Sequence, residues 1–412
     1  MRNPILQVLS IKPFFYLLVS EFFSQVSMNL LNFILLLVVF SLSKSNTAVS
    51  GVVLSFTLPS LFLGIIAGVY VDRWNKRSVL VWTNVLRAIA VIPIVFLSDN
   101  LLIIYSLSFV VSLITQFFIP AETPIIPLLV KRELLLSANA LFGVGIFGSM
   151  IIAYALSGPL LLFLGIERVL LLLVLFFIFS AFFAFLIKIK FKDRHERERR
   201  SFRTELYEAL KIILTSRNVY RSIIVLTLVQ TLILIVAVIG PGYAQNVLKI
   251  RVEEFPIIFV TPAVIGMAVG AILLGNFPHK FSKSAIRRLG LFIIGLIFVI
   301  FPHGPLLASI QIPNLLSFSM LGVLVCLAFM LGFSLSLVFV PSNTVIQEET
   351  TDEQRGKIYG AMNTFVGAIS IIPVLAVGTL SDLFGITVVL TAIGVLLIAI
   401  VASRFVPNLW NL

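Results

Sequence analysis

Gly68-Val-Tyr-Val-Asp72-Arg73-Trp74-Asn75-Lys76-Arg77 is a short basic break between two long apolar runs, 49–71 and 78–98. Each run is long enough to cross the roughly 30 Å hydrocarbon core of a bilayer as a helix. So few polar residues lie between them that the chain must turn back at once. The cations mark that turn as one facing the cytoplasm. The unit is therefore a pair of antiparallel membrane-spanning helices joined by a tight cationic turn.

The same grammar repeats along the chain. Breaks at charges, Pro and Gly divide it into twelve apolar spans: 14–42, 49–71, 78–98, 101–129, 136–164, 168–189, 219–240, 255–275, 287–307, 314–340, 357–380 and 386–405. The fourth ends through Pro120, Pro124 and Pro127, and the ninth contains Pro302 and Pro305. Of the 412 residues, 59% are hydrophobic and 12% charged, and the mean hydropathy is +1.13. That excludes a water-soluble globule, which cannot hide so much apolar surface. It also excludes a disordered chain. The single Cys326 excludes a disulfide scaffold. Continuous rather than alternating apolar runs argue against a β-barrel. The first run, Phe14 to about Leu42, is too long for a cleaved leader and is read as a retained helix.

A net charge of +12 would suggest nucleic acid in a soluble protein, but here the cations sit in loops. With the N-terminus inside, the cytoplasmic side receives Arg2 and Lys12, then Arg73, Lys76 and Arg77, then Lys131 and Arg132. It further receives the cluster from Lys188 to Arg221, then Lys280, Lys283, Arg287 and Arg288, then Arg355 and Lys357, then Arg404. The outer side receives Lys44, Arg168, Lys249 and Arg251. This asymmetry predicts a multi-pass protein of the plasma (inner) membrane with both termini cytoplasmic. Its partners are then the bilayer with its anionic inner leaflet, not nucleic acid.

The long polar stretch from Lys188 to Arg217 divides six spans from six. Phe202, Leu206, Leu210, Ile213 and Leu214 recur in it at helical spacing, which predicts an amphipathic helix on the inner leaflet. It reads as a linker or as a lipid-binding regulatory site. The domains are therefore 1–189, a linker at 190–218, and 219–412. The halves echo each other. Pro59, Gly64 and Gly68 are matched by Pro262, Gly266 and Gly270, and Phe-Ile-Pro120-Ala-Glu-Thr123 by Phe-Val-Pro341-Ser-Asn-Thr344. Paired six-helix repeats are an architecture of secondary transporters.

The turn quoted first resembles the signature of the major facilitator superfamily, Gly-x-x-x-Asp-Arg/Lys-x-Gly-Arg-Arg/Lys. Gly68, Asp72, Arg73 and Arg77 match, Lys76 replaces Arg, and Asn75 stands where the family has a second Gly. Asn tolerates positive φ better than most residues, so the turn is expected to survive. The resemblance implies an all-α membrane protein of 12 transmembrane helices in two pseudo-symmetric six-helix bundles. It implies a monomer, no enzymatic activity and no cofactor, with a small molecule and protons as partners. It also implies that Gly68, Asp72, Arg73, Lys76 and Arg77 form a cytoplasmic gate near the start of helix 11. The alternative is a plain topology anchor. The second-half counterpart, Gly275-Asn276-Phe-Pro-His279-Lys280, has lost the acid.

Pro120-Ala121, Ser137-Ala-Asn139-Ala-Leu141 and Gln347-Glu-Glu-Thr-Thr-Asp352-Glu-Gln-Arg355-Gly356 look like the branch containing the enterobactin exporter and related drug-efflux permeases. A lysophospholipid transporter branch shares the layout. Gly158-Pro159 resembles the exporter motif of helix 5, although Leu162 and Phe163 stand where paired glycines would follow. It serves equally well as a Pro bend in a packed helix.

Polar residues inside the spans are functional candidates, because the bilayer core penalises them. Glu21, Gln25, Asn29 and Asn32 fall on one stripe of helix 1. Helix 4 offers Gln116 and Glu122, helix 7 offers Gln230, and helix 3 carries Asn84 and Arg87. In the family, helices 1, 4, 7 and 10 line the cavity. Desolvation favours the neutral form of a carboxyl, so Glu21 or Glu122 is expected to exchange a proton during transport. Glu122 could instead cap helix 4 or pair with Arg87 as architecture.

No phosphate-binding Gly-x-x-x-x-Gly-Lys-Ser/Thr loop occurs. His195, His279 and His303 are scattered and predict no metal site. The expectation is alternating-access, proton-coupled efflux of a small amphiphilic drug, siderophore or metabolite. Lipid translocation or uptake by the same fold is the alternative. An intramembrane lipid enzyme and a transport-dead scaffold are the rival classes.

Overall fold

The computed structural model describes residues 4–188, 211, 213, 215–276, 282–303, 320–350 and 352–403. The linker helix expected around Phe202–Leu214, the loop around His279 and Lys280, the start of the tenth span and Arg404 lie outside these residues, apart from isolated positions such as Ile213.

A short helix, Pro4–Leu9, leads into the spans. These are α1 (Lys12–Ser43), α2 (Asn46–Arg73), α3 (Lys76–Phe96) and α4 (Leu101–Glu122). The 52-residue helix Leu135–Leu186 follows. At ~1.5 Å per residue that is ~78 Å, more than twice a bilayer core. It breaks at Gly165 (φ 74, ψ 165), giving α5 (135–164) and α6 (166–186). In the second half come α7 (Arg217–Gly242), α8 (Thr261–Asn276), α9 (Lys283–Ile300), α10 (Met320–Glu349), α11 (Asp352–Phe384) and α12 (Ile386–Ala402). Ten helices among the described residues are long and apolar enough to span. Counting α5 and α6 separately, and adding the 17-residue α12, brings the twelve expected.

Several boundaries differ from the hydropathy reading, for local reasons. The fourth span ends at Glu122, because Pro124 and Pro127 divert the chain into a 3-10 turn (Thr123–Ile125) and a short helix (Ile126–Leu129). The ninth tightens into a 3-10 turn at Phe301–His303, next to Pro302. Asn75 is not in the left-handed region. It sits at φ −65, ψ 105 as the N-cap of α3, its side chain accepting from the Ser78 amide at 3.2 Å. Asn replaces Gly there as a cap, not as a residue of positive φ.

Exposure is inverted relative to a soluble protein. Phe96 and Ile372 are each 76% exposed, whereas Glu21 and Arg87 are each 1% exposed. Apolar side chains face outward, as a lipid solvent requires.

The chain forms two compact units. One is Met1–Leu35 with Leu54–Leu206, and the other is Leu36–Val53 with Tyr207–Leu412. The core of the first gathers Phe14, Leu17, Leu80, Phe118, Ala138 and Ile187. That of the second includes Val219, Ile223, Leu226, Ile346 and Ile358. In the second unit α8 and α10 touch backbone to backbone. Any side chain at Gly266 would strike the Phe329 carbonyl, and any at Gly332 the Ala263 carbonyl. Small residues permit this approach in membranes. The break at Gly165 has a counterpart at Gly385 (φ 87, ψ 148) between α11 and α12. These two glycines are 220 residues apart and Pro120 and Pro341 are 221 apart, so the repeat shows in backbone conformation as well as in sequence.

Candidate functional site

A buried polar cluster of the first unit is built by α1, α3 and α4, with one ring from α6 beside it. Helical spacing puts Glu21, Ser24 and Gln25 on one face of α1. From α3, Asn84 and Arg87 are one turn apart and both buried. Glu122 closes the cluster from the last turn of α4 and is 5% exposed.

Arg87 is held in place on several sides. Its Nη1 donates to Ser24 Oγ at 2.9 Å and to Asn84 Oδ1 at 3.4 Å. Ser24 in turn donates to Asn84 Oδ1 at 2.9 Å, and Asn84 Nδ2 donates to the Leu80 carbonyl at 2.9 Å. The guanidinium lies 4.3 Å over the Phe118 ring and 5.9 Å from that of Phe177. Cation–π contact of this kind strengthens when water is excluded. Gln25 Nε2 donates to Glu21 Oε1 at 2.7 Å.

The Glu21 and Glu122 carboxyls face each other closely, and Arg87 is the cation that both feel. Each carboxyl keeps one oxygen, Oε2, without a donor, and Arg87 keeps Nε and Nη2 without an acceptor. Two acids and one guanidinium carry one negative charge too many when both acids are ionised. A single added proton makes the cluster neutral, which a buried site strongly favours.

The other expected residues are distributed as follows. Asn29 donates to the Gln25 carbonyl at 2.9 Å, and Gln116 to the Ser112 carbonyl at 3.3 Å, so each closes on its own helix. Asn32 is half-buried, with Oδ1 unpartnered. Gln230 is exposed on α7, while its neighbour Thr231 shares a 2.8 Å hydroxyl contact with Ser370 of α11. Gly158 and Pro159 lie within α5, and the chain breaks only after it, at Gly165. In the basic turn, Lys76 Nζ donates to the Val71 carbonyl at 3.4 Å. Arg77 donates to the Phe185 carbonyl, with its guanidinium 4.8 Å over that ring. Both cations thus brace the first unit. The side chains of Gly68, Asp72 and Arg73 fall outside those described.

The sequence marks Asn84, Arg87 and both acids, but not Ser24 or the two rings that seat the guanidinium. Ser24 carries a signal of its own, being a small polar residue one turn from Glu21. No group of three or more His, Cys, Asp or Glu suited to a metal occurs among the described residues.

A family model described as Major Facilitator Superfamily matches residues 17–374. The chain belongs to the Major Facilitator Superfamily. Among its superfamily relatives, the uncharacterized MFS-type transporter YfiS of Bacillus subtilis (strain 168) is 25% identical over 375 residues, covering 89% of this chain and 86% of that one. YfmI of the same organism, another uncharacterized MFS-type transporter, is 20% identical over 397 residues, with 94% of each chain covered. Among solved structures, a mutant of the nucleoside transporter NupG aligns with TM-score 0.77 at 12% identity, covering 95% of this chain and 100% of the other. A bacterial homolog of the human lysosomal transporter Spinster, inward-facing and unoccupied, aligns with TM-score 0.71 at 13% identity, covering 99% and 98%. These structural likenesses establish the fold. The superfamily makes this chain a multi-pass secondary transporter for small molecules, of a class that is not enzymatic.

Proposed function

We propose that the protein is a proton-coupled exporter of a small amphiphilic, cationic compound, working as a monomer by alternating access in the plasma membrane. The observation that carries this reading is the cluster of Glu21, Glu122 and Arg87, buried in the first unit, in which two acids share one guanidinium. A proton and a substrate cation are then alternative ways to balance the same charge. Loading one displaces the other, and their fluxes run in opposite directions. Export is supported by the resemblance of Pro120-Ala121 and Gly158-Pro159 to the enterobactin-exporter and drug-efflux branch. Asp72, Arg73 and Arg77 would gate the cytoplasmic end, as the superfamily signature implies.

The test uses purified protein in proteoliposomes with pyranine inside and an imposed pH gradient, and ethidium as the probe cation. Ethidium is expected to move against a proton flux in the unaltered protein. Glu21→Gln and Glu122→Gln should each cut coupled exchange by about tenfold or more, equivalent to roughly 1.4 kcal/mol, and flatten its pH dependence. Unchanged pH dependence in both variants would remove the pair as the coupling site. Movement of lysophosphatidylethanolamine with no ethidium exchange would replace the reading with lipid translocation.

A further inference from the structure

Asp382 sits in the last turn of α11. The free carbonyls there make the helix end negative, so a carboxylate is unfavourable on its own helix. It finds its donors elsewhere. The carboxylate accepts from Ser45 Oγ (2.6 Å), the Asn46 amide (2.9 Å) and Asn46 Nδ2 (2.8 Å). It also accepts from the Thr47 amide (3.0 Å) and Thr47 Oγ1 (2.8 Å). All three residues lie at the start of α2, whose first amides have no partner within their own helix. Asp382 therefore caps α2 from another helix. Lys44, at φ 54, makes the turn that presents these donors.

The contact continues into the helices. Ser50 Oγ donates to the Val374 carbonyl of α11 at 2.9 Å, and a side chain at Gly378 would collide with Ser50 Oγ and the Asn46 backbone. These contacts lie within the second unit, to which Leu36–Val53 belongs, and the chain enters and leaves that segment through Leu35 and Leu54 of the first. Five hydrogen bonds to an ionised acid are individually strong. Asp382 is nevertheless exposed, so water can replace each donor and the whole set can open reversibly.

We propose that Asp382 is a positioning residue of the transport cycle, a clamp on the start of α2 that holds the α1–α2 hairpin in this conformation and must let go for the alternate one to form. This rests on the alternating-access reading, but its readout does not need a substrate. In a Cys326→Ser background, a Val49→Cys probe marks the grip, since Val49 is 0% exposed. In nanodiscs, where both faces are open to reagent, a water-soluble maleimide should label the probe slowly. Asp382→Ala should speed labelling about tenfold, and Thr47→Val, which removes one donor, by a smaller factor. In a separate Cys326→Ser chain carrying Ser45→Cys and Asp382→Cys, oxidation should arrest ethidium exchange and reduction should restore it.

Unchanged labelling in Asp382→Ala, in protein that keeps its elution volume and melting temperature, would overturn the clamp. So would an oxidised pair that exchanges ethidium as fast as the reduced one. If Asp382→Ala does not fold, Thr47→Val decides, and labelling equal to the parent overturns the clamp. If no variant or parent moves ethidium, the transport reading fails, while the labelling result still decides the clamp.

Discussion

Each of the two compact units contains a completely buried arginine, and the two have opposite surroundings. Arg87 lies twelve residues beyond the Asn75 cap, ~18 Å along α3, with two carboxyls, Ser24 and Asn84 about it. Arg287 lies five residues beyond the Ser282 cap, ~7.5 Å along α9. It reaches Ser222 Oγ at 3.5 Å, and its charged neighbour is another cation, Arg221. Two acids at the end of α10 are engaged with other residues, Glu348 with Lys283 and Glu349 with Asn218. Burial alone therefore does not mark a working charge. What distinguishes Arg87 is a surplus of acid that a mobile proton can balance, and only the first of the two sites has it among the described residues.

The sharpest way to break this contrast is to delete the cation that matters. Arg87→Ala leaves two acids facing each other in the core, and should cost about 3–5 kcal/mol of stability, read as a lowered melting temperature in detergent. Adding Glu122→Gln should return part of that loss, because one buried acid is then left without a cation instead of two facing each other. Strict additivity of the two changes would mean that the residues do not form one unit.

The packing contrast is expected to be smaller. Gly332→Ala drives a methyl into the Ala263 backbone of α8 and should destabilise by about 1–3 kcal/mol, measured in the same melts. Gly148→Ala in α5 meets nothing within 4 Å. It should be neutral or gain roughly 0.5–1 kcal/mol from helix propensity. Equal losses at the two sites would erase the difference in packing between the halves.

The smallest effect is predicted at the second arginine. Arg287→Met removes a buried charge whose Nε and Nη2 have no acceptor. Stability should hold or rise by about 1 kcal/mol, with the pH dependence of exchange unaltered. A loss as large as that of Arg87→Ala would show that Arg287 has a counter-charge after all.

The twelve spans were legible because lipid imposes one loud pattern, about twenty apolar residues between charges, and α1 through α12 follow it. Glu21 and Glu122 were legible as charges in the wrong solvent. A pairing of Glu122 with Arg87 is one of the readings the sequence leaves open, and the approach of Glu21 to both is not among them, since pattern gives the face of a helix but not which faces meet. Arg287 was read as a loop charge because it stands next to Arg288 and close to Lys283; its burial depends on the Ser282 cap drawing it into α9. Asp382 was overlooked entirely. Its trace was present, as an acid in the last turn of one span and a Ser-Asn-Thr run opening another. The sequence separation of 336 positions between Asn46 and Asp382 is what hid the pairing.

The single-glycine breaks at Gly165 and Gly385 have a practical consequence. A connection with no spare length cannot absorb an inserted epitope, a protease site or a fluorophore loop without dragging its helices. Both positions have left-handed φ, so even a methyl group is strained there, whatever the open space around it. Handles for labelling or for raising fiducial binders belong elsewhere on the chain, and α5–α6 and α11–α12 are best treated as stiff staples that travel as pairs.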